Sequence, residues 1–129
     1  AYKEYAIADT NEVQSVTTAA AGECDVLYIP TDNTLASVTE TVYNVVAPAK
    51  VPVIAGEEGI CNGCGVATLS ISYYDLGYAT GEMAYEILAE GADITTMDVR
   101  YAPNVTKKYN AKICEELGIT VPDDYVAIQ

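Results

Sequence analysis

The sequence contains no histidine, tryptophan or phenylalanine, and only 6 of its 129 residues are lysine or arginine. Without histidine, Ser-His-Asp and Cys-His catalysis and histidine metal sites are impossible. The 19 acidic residues give a net charge of −13, and so acidic a surface repels nucleic-acid phosphates and anionic lipid. No apolar run approaches the roughly 18–20 residues of a membrane span. Nucleic-acid binding and membrane insertion are therefore not expected.

Phosphate-binding glycine motifs are also missing. The sequence has neither Gly-x-x-x-x-Gly-Lys-Ser/Thr nor Gly-x-Gly-x-x-Gly, so nucleotide chemistry has no motif here. A nucleophile would have to come from Lys, Cys, Tyr or a carboxylate, without a histidine base. We therefore expect no catalytic residue, no cofactor and no metal ion.

Half of the residues are apolar, which is typical of a folded domain with a real core. Hydrophobic periodicity predicts alternating strands and helices. Strands are expected at residues 3–8, 24–29, 51–55, 66–72 and 97–102. Helices are expected at residues 11–21, 31–50, 75–90 and 110–117, with a glycine-rich loop at 56–65. This alternation predicts an α/β fold, with a Rossmann-like, mainly parallel sheet and helices on both faces.

Two helices carry detailed expectations. Asn11 and Gln14 have the spacing of a weak capping box at the first helix. The helix at residues 75–90 should turn its apolar side chains towards a core. Those side chains are Leu76, Ala79, Met83, Ala84, Ile87 and Leu88.

In a parallel sheet, ligands bind beyond the carboxyl ends of the strands. Four polar clusters follow predicted strands, and we expect them on one rim. They occupy residues 9–11, 30–34, 56–58 and 70–75. Three of these clusters also have a purely structural interpretation. Asp32, Asn33 and Thr34 are also helix-capping residues, and Glu57 and Glu58 are also ordinary loop charges. Tyr73 and Tyr74 also fit core residues at a strand-to-helix junction.

Cys61 and Cys64 form a Cys-x-x-Cys motif. A redox motif of this kind should open a helix directly after a strand, whereas this one falls in the predicted loop. A structural zinc site needs four ligands, and only Cys24 and Cys114 remain to complete it. A local disulfide or free thiols are favoured over both.

Three segments carry a family resemblance: Tyr-Ile-Pro-Thr-Asp-Asn-Thr at residues 28–34, Pro-Val-Ile-Ala-Gly-Glu-Glu at 52–58, and Ala-Thr-Leu-Ser-Ile-Ser-Tyr-Tyr-Asp-Leu-Gly at 67–77. In this order and spacing they resemble substrate-binding proteins of ABC transporters for tryptophan, tyrosine or sugars. The resemblance implies a type I periplasmic-binding-protein fold, in which two Rossmann-like lobes clamp a ligand.

The chain is less than half the usual length of that family. The resemblance therefore implies one ligand-binding lobe at residues 1–72, followed by a hinge-crossing helix and C-terminal segment at 73–129. The helix after Tyr73 would lack its normal partner, so we expect the isolated chain to repack it or to form a homodimer.

The resemblance also implies a ligand site and a setting. Seven residues would contribute to ligand binding: Thr31, Asp32, Asn33, Thr34, Glu57, Tyr73 and Asp75. Glu57 would pair with a ligand ammonium, and hinge closure would present the closed form to the transporter's membrane subunits. An aromatic amino acid is the first expected ligand, and a sugar or nucleoside the second. The implied location is extracytoplasmic, either periplasmic or as a lipoprotein. A ligand-sensing domain of a regulator is the alternative from another class.

Overall fold

The computed structural model describes all 129 residues as an α/β fold. Five strands form one sheet in the order β1-β2-β3-β4-β5, and β1–β2, β2–β3 and β4–β5 pair in parallel. The strands are β1 (Leu27–Ile29), β2 (Val53–Ala55), β3 (Ala67–Ile71), β4 (Val105–Tyr109) and β5 (Val126–Ala127). The helices are α1 (Val13–Glu23), α2 (Asn33–Ala36), α3 (Thr39–Ala49), α4 (Glu58–Cys64), α5 (Tyr73–Leu88) and α6 (Ala111–Leu117). The predicted fold class is confirmed.

The chain divides into two compact units, residues 1–70 with 107–129, and residues 71–106. In the first unit, helix α1 packs on α3 and α3 packs on α4. Helix α1 buries Val13, Thr17 and Ala20, which recur on one helical face, and α3 buries Val42 and Val46 in the same way. The main core joins these helices to buried strand residues. Its members are Val13, Ile29, Val42, Val46, Val53, Ala55, Ile60, Cys61 and Cys64.

Helix α6 has a separate small core, in which Ile113 and Cys114 pack against Val66. The Asn110 side chain begins this helix by accepting a hydrogen bond from the Ile113 N–H at 3.1 Å, and Gly118 ends it at a φ of 69°. The predicted helix at residues 110–117 is therefore confirmed.

Two predicted strands are wrong. Residues 3–8 and 97–102 form no strand, while β4 starts at Val105 and the unpredicted β5 pairs beside it. Alternating apolar residues form a strand only where a neighbouring backbone supplies hydrogen bonds, and these segments have no such neighbour. The first helix also departs from its predicted capping box. Its N-cap is Glu12, without a side-chain cap, while Asp9 accepts a bond from the Asn11 N–H at 2.8 Å in a turn.

The helix predicted at residues 31–50 is interrupted and forms α2 and α3. Ser37 donates its hydroxyl to the Thr34 carbonyl at 2.7 Å, and Val38 has a non-helical φ of −134°. A serine that bonds the preceding turn in this way competes with the helical hydrogen bonds. Helix α3 then ends at Ala49, and its C-cap residue Lys50 has a left-handed φ of 55°.

The predicted glycine-rich loop at residues 56–65 is wrong, because Glu58–Cys64 forms helix α4. This helix buries Ile60, Cys61 and Cys64 in the core. Burial of these side chains and a cap from Glu57 outweigh the low helix propensity of its glycines.

The second unit contains α5. None of its residues is buried, so the expected core-facing side of this helix is wrong. Leu76, Ala79, Met83 and Ile87 are half-buried, whereas Leu88 is 85% exposed. Within this unit Arg100 donates to both carboxylate oxygens of Glu86, at 2.6 and 2.8 Å. Homodimer formation by the isolated chain stays a prediction, as does the boundary after residue 72.

Candidate functional site: the carboxyl ends of β1 and β2

The segments that follow β1 and β2 are in direct contact. The Gly56 N–H donates to the Ile29 carbonyl at 2.7 Å, and the Thr31 hydroxyl donates to the Gly56 carbonyl at 3.2 Å. A Cβ placed on Gly56 would lie 2.5 Å from the Thr31 nitrogen and 2.8 Å from the Pro30 carbonyl carbon. Only glycine permits so close an approach of two backbones. The polar residues after the two strands therefore lie side by side.

The first of these segments begins helix α2. Asp32 is its N-cap, and its carboxylate accepts a hydrogen bond from the Leu35 N–H at 2.8 Å. Thr31, Asn33 and Thr34 are exposed, as is Asp32 itself. Asp32 therefore has the capping role that the sequence suggested, and the side chains of residues 31–34 are exposed to solvent.

The second segment carries two adjacent glutamates with different partners. Glu57 is the N-cap of α4, where its carboxylate accepts from the Gly59 N–H at 2.7 Å and from the Ile60 N–H. Glu58 instead pairs with Lys108, whose ammonium lies 2.6 Å from its carboxylate. The Ser70 hydroxyl donates to the same Glu58 oxygen at 3.3 Å. No cation pairs with Glu57, so its negative charge is the uncompensated one.

Sequence reasoning missed the cluster of Glu58, Ser70 and Lys108 as a unit. The Lys108 side chain is 27% exposed and that of Glu58 is 39% exposed, so this ion pair is partly shielded from water. The available signal was that Lys108 is one of only six basic residues in so acidic a chain. Its partner lies 50 residues away in sequence, and only the fold brings the two together.

Two predicted site residues, Tyr73 and Asp75, belong to the second unit, at the start of α5. The Ser72 hydroxyl caps this helix by accepting from the Asp75 N–H at 3.1 Å, and Asn104 donates to the Asp75 carboxylate at 3.5 Å. The Tyr73 side chain is 61% exposed. The remaining predicted cluster, residues 9–11, follows no strand and so lies at no strand end.

The cysteines form no disulfide, and Cys61, Cys64 and Cys114 are buried. Burial raises the pKa of Cys61 and of Cys64 to about 12, which keeps both thiols protonated near neutral pH. No group of His, Cys, Asp or Glu side chains is arranged to hold a metal ion. Of the two favoured alternatives, a local disulfide and free thiols, the structure has free thiols, and three of the four are buried.

The mainly parallel sheet, with polar residues at the carboxyl ends of β1 and β2, has the α/β architecture in which ligands bind beyond the strand ends. The profile of the ABC transporter substrate binding protein family matches residues 2–128, so the chain belongs to this family. The predicted resemblance is confirmed.

Three relatives show how far the similarity extends. A tyrosine-binding protein from Clostridioides difficile (strain R20291) is 39% identical over 100 residues, which is 74% of this chain and 29% of that protein. The L-Trp complex of the ABC domain from Streptococcus pneumoniae is 30% identical with a TM-score of 0.84, covering 98% of this chain and 45% of that one. The ligand-free, open substrate binding protein with adhesive properties from Clostridium difficile is 36% identical with a TM-score of 0.70, covering 95% and 43%.

The chain thus spans less than half the length of the relatives it matches. None of its helices has both the length and the apolar character needed to cross a bilayer.

Proposed function

We propose that this chain forms one lobe of the solute-binding component of an ABC importer, and that the solute is an aromatic amino acid. The tyrosine-binding relative and the relative solved with L-Trp support this ligand class. The observation that carries the proposal is the contact between Gly56 and Thr31, because it places Glu57 beside the polar residues that follow β1. A sugar or nucleoside is the second candidate ligand.

In this proposal Glu57 binds the ligand ammonium. A carboxylate offers about four acceptor positions, and the helix cap uses two of those on Glu57. Lys108 neutralises Glu58, so of the two adjacent glutamates Glu57 is the one left to attract a cationic group of the ligand. Thr31, Asp32, Asn33 and Thr34 supply exposed hydroxyl, carboxylate and amide groups for the polar part of the ligand.

Transport would follow from hinge closure. A ligand that contacts two lobes binds the closed form more tightly, and so shifts the population towards it. The membrane subunits of the transporter would then recognise the closed form, in an extracytoplasmic setting. Tyr73 and Asp75, at the start of α5, would contact the bound ligand through a ring and a charge, respectively.

The proposed role is binding without catalysis. The chain has no histidine to act as a general base. The pKa of Cys61 and of Cys64 is raised to about 12, so neither supplies a thiolate nucleophile near neutral pH.

The test is a thermal-shift screen of the complete polypeptide, meaning residues 1–129 with whatever else its gene encodes. The ligands are L-Tyr, L-Trp, L-Phe, sugars and nucleosides. Binding to the folded state alone stabilises by about 2.7 kcal/mol at a hundredfold excess over the dissociation constant. We expect a shift with the aromatic amino acids that Glu57→Gln greatly reduces, because glutamine keeps a capping oxygen but loses the charge.

The matched control is Glu40→Gln, which removes one carboxylate from the first turn of α3. It should leave the ligand-induced shift intact. A shift with sugars or nucleosides alone would replace the aromatic ligand by the second candidate. No shift with any solute would contradict the importer proposal and favour the sensory alternative.

A further inference from the structure

One lysine lies among the carboxylates of the candidate site. The two segments that form this site, residues 30–34 and 56–58, contain Asp32, Glu57 and Glu58 and no basic residue. Lys108 reaches Glu58 from β4, and its ammonium lies 2.6 Å from the Glu58 carboxylate. Of the five basic side chains that form ion pairs, that of Lys108 is the least exposed. The local charge of the site therefore depends on Lys108.

Glu58 is held by two contacts, whereas Glu57 keeps its negative charge. One carboxylate oxygen of Glu58 accepts from the Lys108 ammonium and from the Ser70 hydroxyl, at 2.6 and 3.3 Å. The Glu57 carboxylate accepts from two backbone N–H groups, which carry no formal charge. Together, the two glutamates and the lysine leave a single negative charge. Because Glu57 is next to Glu58 in the chain, and partly shielded charges are screened little by salt, the state of the ion pair is felt at Glu57.

This arrangement bears on which ligands can bind. An α-amino acid carries its ammonium and its carboxylate on the same carbon atom, so a ligand whose ammonium contacts Glu57 also brings a negative charge to the site. Lys108 offsets the charge of Glu58 there. Without the lysine, two adjacent carboxylates would repel the ligand carboxylate, and repulsion between like charges is a common means of rejecting a ligand. An amine that lacks the carboxylate would meet no such repulsion.

We propose that Lys108 is a specificity-determining residue: by pairing with Glu58, it allows the site to bind a ligand that carries a carboxylate beside its ammonium. The inference rests on the proposed function, in which Glu57 binds the ligand ammonium. Lys108 acts through the charge of Glu58 and requires no contact with the ligand. Among aromatic ligands, it favours L-Tyr over tyramine and L-Trp over tryptamine, because each amine differs from its amino acid only by the missing carboxylate.

Calorimetric titration of the complete polypeptide with L-Tyr and with tyramine tests this role. In Lys108→Met, we expect the ratio of the affinity for L-Tyr to the affinity for tyramine to fall about tenfold, because the unpaired Glu58 repels the carboxylate of L-Tyr and attracts the ammonium of both ligands. Lys112→Met removes a lysine whose side chain is 77% exposed and should keep the ratio of the parent protein. Equal losses of both affinities in Lys108→Met would indicate a structural role and overturn the proposal.

Two further variants test the charge itself. Adding Glu58→Gln to Lys108→Met restores the single negative charge, so the ratio of affinities should return towards that of the parent protein. Lys108→Arg keeps the positive charge at this position and should keep the ratio. A ratio that stays low in the double variant would contradict an action of Lys108 through Glu58.

The same titrations separate this inference from the proposed function. If the parent protein binds neither L-Tyr nor tyramine, the proposed aromatic ligand is wrong, and the role of Lys108 is wrong as well. If the parent protein binds L-Tyr and Lys108→Met has the same ratio of affinities, the proposed ligand stands and only the role of Lys108 is wrong. A fall in the ratio that Glu58→Gln reverses supports both.

Discussion

The backbone of Gly56 lies against that of Thr31, so closely that a Cβ on Gly56 would be 2.5 Å from the Thr31 nitrogen. This contact links the turn after β1 to the turn after β2. It also holds the first residues of α2 and of α4 at the carboxyl ends of β1 and β2. The proposed ligand site depends on it, because Asp32 and Glu57 come from turns that are 25 residues apart in sequence.

Gly56→Ala should disrupt this contact. The neighbouring atoms are backbone and cannot rotate away, so we expect a loss of about 1–3 kcal/mol in the free energy of unfolding. Gly22→Ala is the control, since nothing lies within 4 Å of its Cβ position in α1, and a gain of about 0.5–1 kcal/mol is expected there. Urea denaturation of both variants measures the difference. A Gly56→Ala variant with an unchanged free energy of unfolding would show that the turns are not in contact.

Lys108→Met should leave Glu58 without its cation. The pair is partly exposed, so we expect a cost of only about 1 kcal/mol. Adding Glu58→Gln to this variant should recover part of the loss, which a double-mutant cycle by chemical denaturation would detect. The control Lys112→Met removes a lysine that is 77% exposed and should change little. Strict additivity of the two changes would argue against the ion pair.

Thr68→Val should stabilise the protein. The Thr68 side chain is 2% exposed, and its hydroxyl has no hydrogen-bond partner. Replacing an unsatisfied buried hydroxyl by a methyl group of similar size is expected to raise the free energy of unfolding by about 1 kcal/mol. Thr18→Val is the comparison, because the Thr18 hydroxyl is exposed and donates to the Gln14 carbonyl at 2.7 Å. A destabilised Thr68→Val would indicate a partner for this hydroxyl in solution.

The buried thiols predict a loss of stability at alkaline pH. Burial raises the pKa of Cys61 and of Cys64 from 9.0 to about 12. Below the lower value both thiols are protonated whether the chain is folded or unfolded, so there is no dependence on pH. Above it only the unfolded thiols ionise, and the free energy of unfolding falls as pH rises towards 12.

Denaturation at about pH 8 and about pH 10 should therefore show a smaller loss for Cys64→Ala than for the parent chain. Cys24→Ala, at a half-exposed position, should keep the parent's slope. A slope that is the same in all three proteins would contradict burial of the Cys64 thiol in solution.

The local patterns in the sequence were sufficient where an element's own residues decide its structure. Helix α6 begins after Asn110 and ends before Gly118 as predicted, because capping is a contact between neighbours in sequence. The alternation of strands and helices likewise predicted the α/β class, and the ordered motifs predicted the family. The exposed polar residues 31–34 follow β1 as expected.

Tertiary contacts decided the rest. The segment at residues 56–65 has glycines typical of a loop, yet core burial of Ile60 and the cap from Glu57 make it a helix. Residues 3–8 have a strand pattern but lack a paired neighbour. The difference between Glu57 and Glu58, adjacent and identical in type, depends on Lys108, 50 residues away. Sequence determined the local preferences, whereas partners distant along the chain, which no local pattern encodes, decided the pairing, the burial and the charge at the proposed site.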